Sequence, residues 1–333
     1  MKNRTRVFAA IIVSSIASAV GSSANGQQGW AEVQSIKLND KPATLNSVLY
    51  NGEEVWIVGA NGLILRSNDY GQTFNQIDVH ADPGLNDIFG LKDRLWVIGD
   101  EGTMYFSTDR GQSFVKNVYT AYGRGRARQA GDPGSLPKDH LDLYSVQFVD
   151  EDRGYIVGDE GLILGSSDGG ITWRELPSGS TSQLFNLSFR GKRGWVVGAG
   201  GLLIHTDDGG KNWYPQQSGS NEDLNRVVMV SEEQGFVTGE KGTLLRTENG
   251  GATWTRVSVR TDQSLYGISF LPDKKTGWVV GYGGTIIRTY DGGHNWVEQV
   301  SQTSADLFAV SFNKNRGFTI GRDGLVLRYF EKR

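Results

Sequence analysis

Short apolar or alternating stretches of β-strand length recur along the whole chain, and turn residues separate them. Four such stretches make one unit, as at residues 184–189, 194–198, 202–206 and 213–216. They are rich in β-branched and aromatic residues, which is typical of strands. The pattern predicts an all-β protein built from four-stranded units of about 40 residues.

A pair of mostly apolar residues followed by glycine marks each unit. The marker occurs seven times, with spacings of 40, 59, 40, 41, 42 and 40 residues. Its glycines are Gly59, Gly99, Gly158, Gly198, Gly239, Gly281 and Gly321. A four-stranded unit of this length is the size of one propeller blade, so we expect seven blades.

The two ends of the repeat complement each other. The seventh unit ends after its third strand, at residues 325–330, whereas Trp30 to Val33 matches the fourth-strand pattern of Trp173 to Leu176. We therefore expect residues 25–333 to form a single closed seven-bladed β-propeller whose N-terminal strand completes the last blade. Closure removes an exposed sheet edge, which would otherwise favour aggregation.

A recurrent turn lies between the third and fourth strands of six units and has the form [ST]-x-[DN]-x-G-x-[TSN]-[WF]. A short acidic or amide side chain accepts hydrogen bonds from nearby backbone N–H groups, and glycine adopts positive φ. Six equivalent acids spread around a ring do not converge on one substrate, so we expect them to stabilise hairpins. The turn resembles the Asp-box, or bacterial neuraminidase repeat, with its acid or amide at Asp69, Asp109, Asp168, Asp208, Asn249 and Asp291.

The stretches from Gly194 to Trp213 and from Gly277 to Trp296 resemble the photosystem II stability/assembly factor family of plants, cyanobacteria and other bacteria. The resemblance covers about residues 30–330. It implies a non-enzymatic protein-binding scaffold, without a cofactor, that helps a membrane protein complex assemble. The partner would be a membrane complex or its periplasmic or lumenal portions.

The first residues are typical of a Sec signal peptide. Lys2, Arg4 and Arg6 precede an uncharged, mostly apolar stretch at residues 7–20, which is too short to span a bilayer comfortably. We expect residues 1–24 to be removed and the protein to be exported or periplasmic. No cysteine is present for lipid attachment at a lipobox.

Composition narrows the classes of chemistry. The chain has 46 Gly among 333 residues, 38% hydrophobic residues, 4 His and no Cys. Disorder and collagen are excluded, as are disulfides, Cys-ligated metals and thiol nucleophiles. Its net charge of −3 becomes more negative without the leader, which disfavours a nucleic-acid partner. We expect a monomer without metal or cofactor.

The face opposite the Asp-box turns is the expected binding face. It carries the turns between strands two and three, the connections between blades, and the second residue of each innermost strand. Those second residues form a rim of four aromatics and three amides at the channel mouth, suited to a protein or sugar ligand; alternatively, the aromatics plug a narrow channel. They are Asn46, Asn86, Tyr144, Phe185, Asn225, Tyr266 and Phe308.

The spacing of 59 residues marks an insertion between blades two and three, at about residues 116–140. It contains Arg124, Arg126 and Arg128 and falls on the same face. Alternating arginines suit carboxylates, phosphates or an acidic patch on a partner, although a solvated loop is the plain alternative. A second series, at Arg66, Arg246, Arg288 and Arg328, either extends a basic stripe or packs against blade aromatics.

A glycoside hydrolase is the alternative function. A two-carboxylate enzyme needs an acid and a base about 5 to 9.5 Å apart. The rim acids available for these roles are Asp87, Asp100, Glu101, Asp159 and Glu160. A sialidase-like enzyme would also need an arginine triad and the Arg-Ile-Pro signature, which the sequence lacks. We therefore expect no catalytic residues.

Overall fold

The computed structural model describes residues 29–38, 40–79, 83–119 and 141–330. These residues form seven four-stranded antiparallel sheets and one two-stranded hairpin. The seven sheets are the blades of a β-propeller, so the predicted all-β class and blade number are confirmed. The expected leader at residues 1–24 lies outside the described residues.

The strands are numbered one to four from the channel outwards, and the blades follow chain order. The innermost strands are Leu45–Asn51, Leu85–Leu91, Leu143–Phe148, Leu184–Arg190, Leu224–Met229, Leu265–Phe270 and Leu307–Asn313. The second strands are Glu54–Gly59, Arg94–Gly99, Gly154–Gly158, Arg193–Gly198, Gly235–Gly239, Gly277–Gly281 and Arg316–Gly321. The third strands are Leu63–Ser67, Thr103–Ser107, Ile163–Ser166, Leu203–Thr206, Leu244–Thr247, Ile286–Thr289 and Leu325–Phe330.

The outer strands are shorter, except in blade 7. They are Asn75–Gln76, Val115–Val118, Arg174–Leu176, Tyr214–Pro215, Thr255–Arg256, Val297–Glu298 and, in blade 7, Gly29–Ser35. Short 3-10 turns join strands two and three at Asp100–Gly102, Asp159–Gly161, Ala199–Gly201, Tyr282–Gly284 and Arg322–Gly324. The two-stranded hairpin pairs Lys37–Leu38 with Lys41–Pro42.

The structure corrects where the insertion begins. Lys116 to Val118 lie in the outer strand of blade 2, and the main-chain N–H of Tyr119 donates to Gly102 O at 2.8 Å. The prediction that the insertion starts at residue 116 was therefore wrong, because these residues continue the blade. Arg124, Arg126 and Arg128 lie outside the described residues.

The N-terminal strand closes the ring by pairing antiparallel with the third strand of blade 7, from Gly29 opposite Phe330 to Ser35 opposite Leu325. Trp30 is 2% exposed, and its ring centroid lies 5.3 Å from that of Tyr329 in the same blade. Its indole Nε1 donates to Gln299 Oε1 of blade 6 at 3.3 Å. The closing strand is thus tied to two blades, as expected from the two ends of the repeat.

Aromatic rings join adjacent blades. The ring on the second strand of one blade stacks on a ring from the innermost strand of the next, at centroid distances of 3.7 Å for Trp96–Phe148 and 3.8 Å for Tyr155–Phe189. Trp278–Phe312 repeats the contact at 3.7 Å. Such pairs contribute about 0.5–1.5 kcal/mol beyond the burial of their area.

A glycine of each Asp-box lies against the same second-strand ring of the preceding blade. A Cβ added to Gly251 would lie 2.1 Å from Trp195 Nε1, and one added to Gly293 would lie 2.3 Å from Phe236 Cε1. Both glycines also have positive φ, of +79°. The Asp-box glycine is therefore required twice, by its backbone conformation and by the packing between blades.

Blade 2 reverses a cross-strand pair of the repeat. In blades 3 to 7 a large residue on the innermost strand faces glycine on the second, as in Phe148–Gly154 and Phe312–Gly317, whereas blade 2 pairs Gly90 with Leu95. Leucine replaces the missing ring only in part. An open cleft of about 670 Å³, lined in part by Gly90 and Leu95, therefore remains between blades 1 and 2.

The glycine contact makes a stability prediction. Gly251→Ala is expected to lower the free energy of unfolding by about 3 kcal/mol, because the methyl group clashes with Trp195 and alanine is strained at positive φ. Urea unfolding followed by tryptophan fluorescence measures the change.

Gly200→Ala is the matched control. Gly200 also has positive φ, +65°, but nothing lies within 4 Å of an added Cβ, so only the backbone cost of about 1 kcal/mol is expected. Equal losses in the two variants would show that packing against Trp195 is not a constraint.

Candidate partner-binding face

Main-chain hydrogen bonds bring the turns between strands two and three against the connections between blades. Tyr282 N donates to Ser264 O at 2.8 Å, and Arg322 N donates to Asp306 O at 2.9 Å. In all seven blades a Cβ added to the marker glycine would lie only 1.8–2.5 Å from the carbonyl oxygen just before the innermost strand. This close approach explains why the repeat marker ends in glycine. It also brings the turns and the connections between blades together on one face.

The seven rim residues share one structural feature. In each innermost strand the register with the second strand shifts between the first and third residues, so the second residue occupies a β-bulge. Bulges re-aim side chains. The bulge residues are Asn46, Asn86, Tyr144, Phe185, Asn225, Tyr266 and Phe308, and all seven are half-buried.

The three rim amides connect neighbouring blades. Asn46 Nδ2 donates to Leu85 O at 2.9 Å, Asn86 Nδ2 to Leu143 O at 3.1 Å and Asn225 Nδ2 to Leu265 O at 2.9 Å. Each accepting carbonyl belongs to the first residue of the next innermost strand. These amides therefore hold the ring together at the mouth.

The four rim aromatics form two pairs. Tyr144 and Phe185 have ring centroids 6.0 Å apart, and Tyr266 and Phe308 have theirs 5.7 Å apart. The first pair spans blades 3 and 4 and the second spans blades 6 and 7, with rim amides between the pairs in both directions around the ring. The mouth thus presents two separate aromatic pairs.

Hydrogen bonds fix the Tyr144 side chain. Its hydroxyl donates to Asp159 Oδ1 at 2.9 Å, and Gln183 Nε2 donates to the same oxygen at 2.9 Å. Burial, followed by the hydrogen bond to Asp159, raises the pKa of Tyr144 well above its ordinary value. The phenol therefore remains a protonated donor at neutral pH.

The rim carboxylates take part in contacts between blades. Asp142 Oδ1 accepts a hydrogen bond from Glu101 N at 2.9 Å, and Asp306 Oδ1 accepts one from Gly283 N at 3.0 Å. Asp223 Oδ1 does the same with Gly200 N at 2.7 Å. Sequence reasoning missed these residues, although an acid just before the innermost strand in three of seven units was a visible signal.

The candidate hydrolase acids are held in such contacts too. Asp87 is 6% exposed and accepts hydrogen bonds from Ser47 Oγ at 2.7 Å and Val146 N at 3.1 Å. Asp100 Oδ1 accepts one from Asn86 Nδ2 at 2.8 Å, and burial raises the pKa of Asp100. Their hydrogen bonds connect strands and blades, so these acids contribute to holding the fold together.

The Asp-box side chains satisfy their own hairpins. Asp208 Oδ1 accepts hydrogen bonds from Thr206 Oγ1 at 2.8 Å and Asn212 N at 3.0 Å, while Oδ2 accepts one from Asn212 Nδ2 at 2.7 Å. Corresponding bonds from the [ST] residue that opens each box are made at Asp69, Asp109, Asp168, Asn249 and Asp291. Across the residues the structure describes, no group of three or more His, Asp or Glu is arranged to hold a metal ion.

The second arginine series packs against blade aromatics. Arg288 is 2% exposed, and its guanidinium carbon lies 4.4 Å from the Trp278 ring centroid. Arg66 lies 5.0 Å from the Trp56 ring centroid and pairs with Glu54. These contacts favour the packing alternative over an exposed basic stripe.

Asp-box geometry predicts a pH dependence of stability. Hydrogen bonds from Asn212, first from its side chain and then from its main chain, lower the pKa of Asp208 to about 2, and the pKa values of Asp69, Asp109 and Asp291 are also about 2. Because these pKa values are lower than in the unfolded chain, the unfolded state binds more protons between about pH 2 and 4. The stabilisation is complete above that range and is lost as pH falls through it.

Replacing these four aspartates by asparagine is expected to flatten the fall of the urea midpoint between pH 5 and 2. Asn249 shows that asparagine fits the turn, since its Oδ1 accepts a hydrogen bond from Thr253 N at 3.0 Å. Asp262→Asn, at an exposed position outside the boxes, serves as control. An unchanged acid dependence of the four-site variant would contradict the assignment.

No helix among the described residues is both long and apolar enough to cross a membrane.

Curated relatives match over short segments. The photosystem II assembly lipoprotein Ycf48 of Prochlorococcus marinus strain NATL2A is 43% identical over 51 residues, which are 14% of this chain and 15% of that protein. Its counterpart from strain MIT 9312 is 36% identical over 59 residues, which are 16% and 18% of the two proteins. The matched segments thus span less than a fifth of these relatives.

Solved structures match over nearly the whole propeller. YCF48 from Cyanidioschyzon merolae superposes with a TM-score of 0.70 at 20% identity, covering 90% of this chain and 98% of that one. A structure of YCF48 bound to a D1 peptide superposes with a TM-score of 0.69 at 19% identity, covering 91% and 95%. At this identity the likeness shows the shared fold.

The family model provides the assignment that the fold alone does not. The model described as photosynthesis system II assembly factor YCF48 matches residues 11–123, 132–221 and 248–331, which together are most of the chain. These matches include all seven blades wholly or in part. The chain therefore belongs to the photosystem II assembly factor YCF48 family.

Proposed function

We propose that this protein is an exported, non-enzymatic scaffold that binds a protein of photosystem II and promotes assembly or stability of the complex. Membership of the YCF48 family over most of the chain is the observation that carries the proposal. The curated relatives are named photosystem II assembly lipoproteins. The predicted leader at residues 1–24 supports export.

The proposed partner is a polypeptide segment of a photosystem II subunit. A YCF48 structure with the same fold holds a D1 peptide, so D1 is the first candidate. A propeller face built by one chain needs no second copy to complete it, and we propose that the protein acts as a monomer.

The channel-mouth rim is the proposed contact surface. Aromatic side chains contribute strongly at protein interfaces because they bury a large area at a small cost in conformational entropy. Here the pairs Tyr144–Phe185 and Tyr266–Phe308 stand on β-bulges of the rigid innermost strands. The amides Asn46, Asn86 and Asn225 connect neighbouring blades and border the same surface.

The insertion supplies a second proposed contact. Arg124, Arg126 and Arg128 bring three positive charges into a protein whose overall charge is negative. Guanidinium groups bind carboxylates through two parallel hydrogen bonds. We propose that these arginines contact acidic groups of the same partner.

The hydrogen bonds that the rim acids already accept favour binding over hydrolysis. Hydrolysis needs one carboxylic acid and one free carboxylate facing each other across the substrate. Asp87 accepts hydrogen bonds from blades 1 and 3, and Asp159 accepts them from Tyr144 and Gln183. These acids are used to hold the blades in place.

The rim can be tested with detergent-solubilised thylakoid membranes. Immobilised wild-type protein is expected to retain D1 on immunoblots, and Tyr266→Ala with Phe308→Ala is expected to reduce retention at least fivefold, because the aromatic contact is lost. Tyr214→Ala is the matched control, since Tyr214 is 52% exposed on the outer strand of blade 4, away from the mouth. Absence of D1 and every other photosystem II subunit from the wild-type eluate would refute the proposed function.

The proposed contact made by the insertion can be tested by reversing its charge. Replacing Arg124, Arg126 and Arg128 by glutamate is expected to weaken D1 retention, most strongly at low ionic strength, where charge pairs are least screened. Retention equal to wild type would remove the insertion from the interface while leaving the rim proposal standing.

A further inference from the structure

A layer of side chains lies one residue inside the rim. It consists of the third residue of each innermost strand, in blade order Ser47, Asp87, Ser145, Asn186, Arg226, Gly267 and Ala309. Ser47 Oγ donates to Asp87 Oδ1 at 2.7 Å, Ser145 Oγ donates to Asp87 Oδ2 at 3.2 Å, and Asn186 Nδ2 donates to Ser145 Oγ at 2.9 Å. Blades 1 to 4 are thus linked by a continuous chain of hydrogen bonds.

The layer also satisfies backbone groups of the innermost strands, which have no further strand to pair with. Asp87 Oδ2 accepts a hydrogen bond from Val146 N at 3.1 Å, and Asn186 Oδ1 accepts one from Val227 N at 3.0 Å. Each side chain therefore reaches the innermost strand of the following blade. These hydrogen bonds avoid the free-energy cost of leaving a buried N–H without an acceptor.

Arg226 breaks this arrangement. Its main chain pairs with Thr238 in the blade, but its half-buried side chain makes no hydrogen bond or ion pair with any residue that the structure describes. The next two members of the layer are Gly267 and Ala309, whose side chains offer no acceptor. A Cβ added to Gly267 would lie 3.1 Å from Ala309 Cα, so the innermost strands of blades 6 and 7 are in close contact there.

Two acids that share the layer or the strand connection with Arg226 are already engaged. Asp87, the acid of the same layer, accepts hydrogen bonds from two serines and a main-chain N–H. Asp223, three residues before Arg226, accepts the N–H of Gly200 at 2.7 Å. A cation that is partly removed from water is costly unless an anion pairs with it. Among the residues that the structure describes, no acid forms an ion pair with the Arg226 guanidinium.

We propose that Arg226 is an oxyanion-binding residue in the channel mouth, one residue below the Tyr266–Phe308 pair. The ligand class is a carboxylate or phosphate, whose paired oxygens match the guanidinium fork. Two sources share this chemistry, an acidic group of a bound partner and a free inorganic anion. Only the first source rests on the proposed function.

The site is tested by titrating the exported chain, residues 25–333, with sodium phosphate and, separately, sodium acetate at constant ionic strength. The Nε–H resonance of Arg226 in ¹⁵N spectra is expected to shift and saturate, and Arg226→Gln is expected to remove that resonance and any accompanying thermal stabilisation by phosphate. Arg226→Lys, which keeps the charge but not the fork, is expected to weaken apparent affinity at least tenfold. Far-ultraviolet circular dichroism establishes that each variant is folded.

Arg256 is the control arginine, since it lies on the outer strand of blade 5 and its Nη2 donates to Lys241 O at 3.2 Å. An Arg226 response that is linear, or no larger than that of Arg256, with both anions would overturn the proposal. If the response saturates, D1 retention by Arg226→Gln distinguishes the sources: a loss indicates an acidic partner group, and unchanged retention indicates a free anion. Failure of the wild-type protein to retain D1 would contradict the proposed function alone. The phosphate and acetate titrations test the Arg226 site separately, because they need no partner protein.

Discussion

Contact of one aromatic ring with the next blade is the constraint on which this structure depends. The second-strand ring of a blade is covered by the Asp-box glycine of its neighbour and, in most blades, by a second ring from the neighbour's innermost strand. Trp195 against Gly251 and Trp96 against Phe148 are the clearest cases. Each contact sets the distance between two neighbouring sheets, and the pairing of Gly29–Ser35 with the third strand of blade 7 closes the ring.

The geometry of the mouth follows from the same close packing. Glycine at the end of each second strand allows a carbonyl oxygen to approach where any side chain would clash, so the turns of one blade meet the connection to the next. The β-bulge at the second residue of each innermost strand directs one side chain per blade to the rim. Amides at three of these positions connect blades, and aromatics at four remain in two pairs. The scaffold and its proposed contact surface therefore use the same residue position.

Three features depart from the repeat. The Gly90–Leu95 reversal opens a cleft between blades 1 and 2, and Arg226 stands where the other blades place a small or hydrogen-bonded side chain. The charged insertion, which lengthens only one connection, belongs to the same class of departures.

The sequence by itself determined the all-β class, the seven blades, the strand that closes the ring and the Asp-box turns. These features depend on local periodicity and on turn chemistry within about eight residues, which a single chain displays directly. Only the tertiary structure decided that Asn46 donates to Leu85 O, that Asp87 is buried between serines of two other blades and that the Arg226 side chain has no hydrogen-bond partner within the described ranges. Those contacts join positions about 40 or more residues apart, and the same asparagine, aspartate or arginine would read identically in sequence whether it faced water or a neighbouring blade.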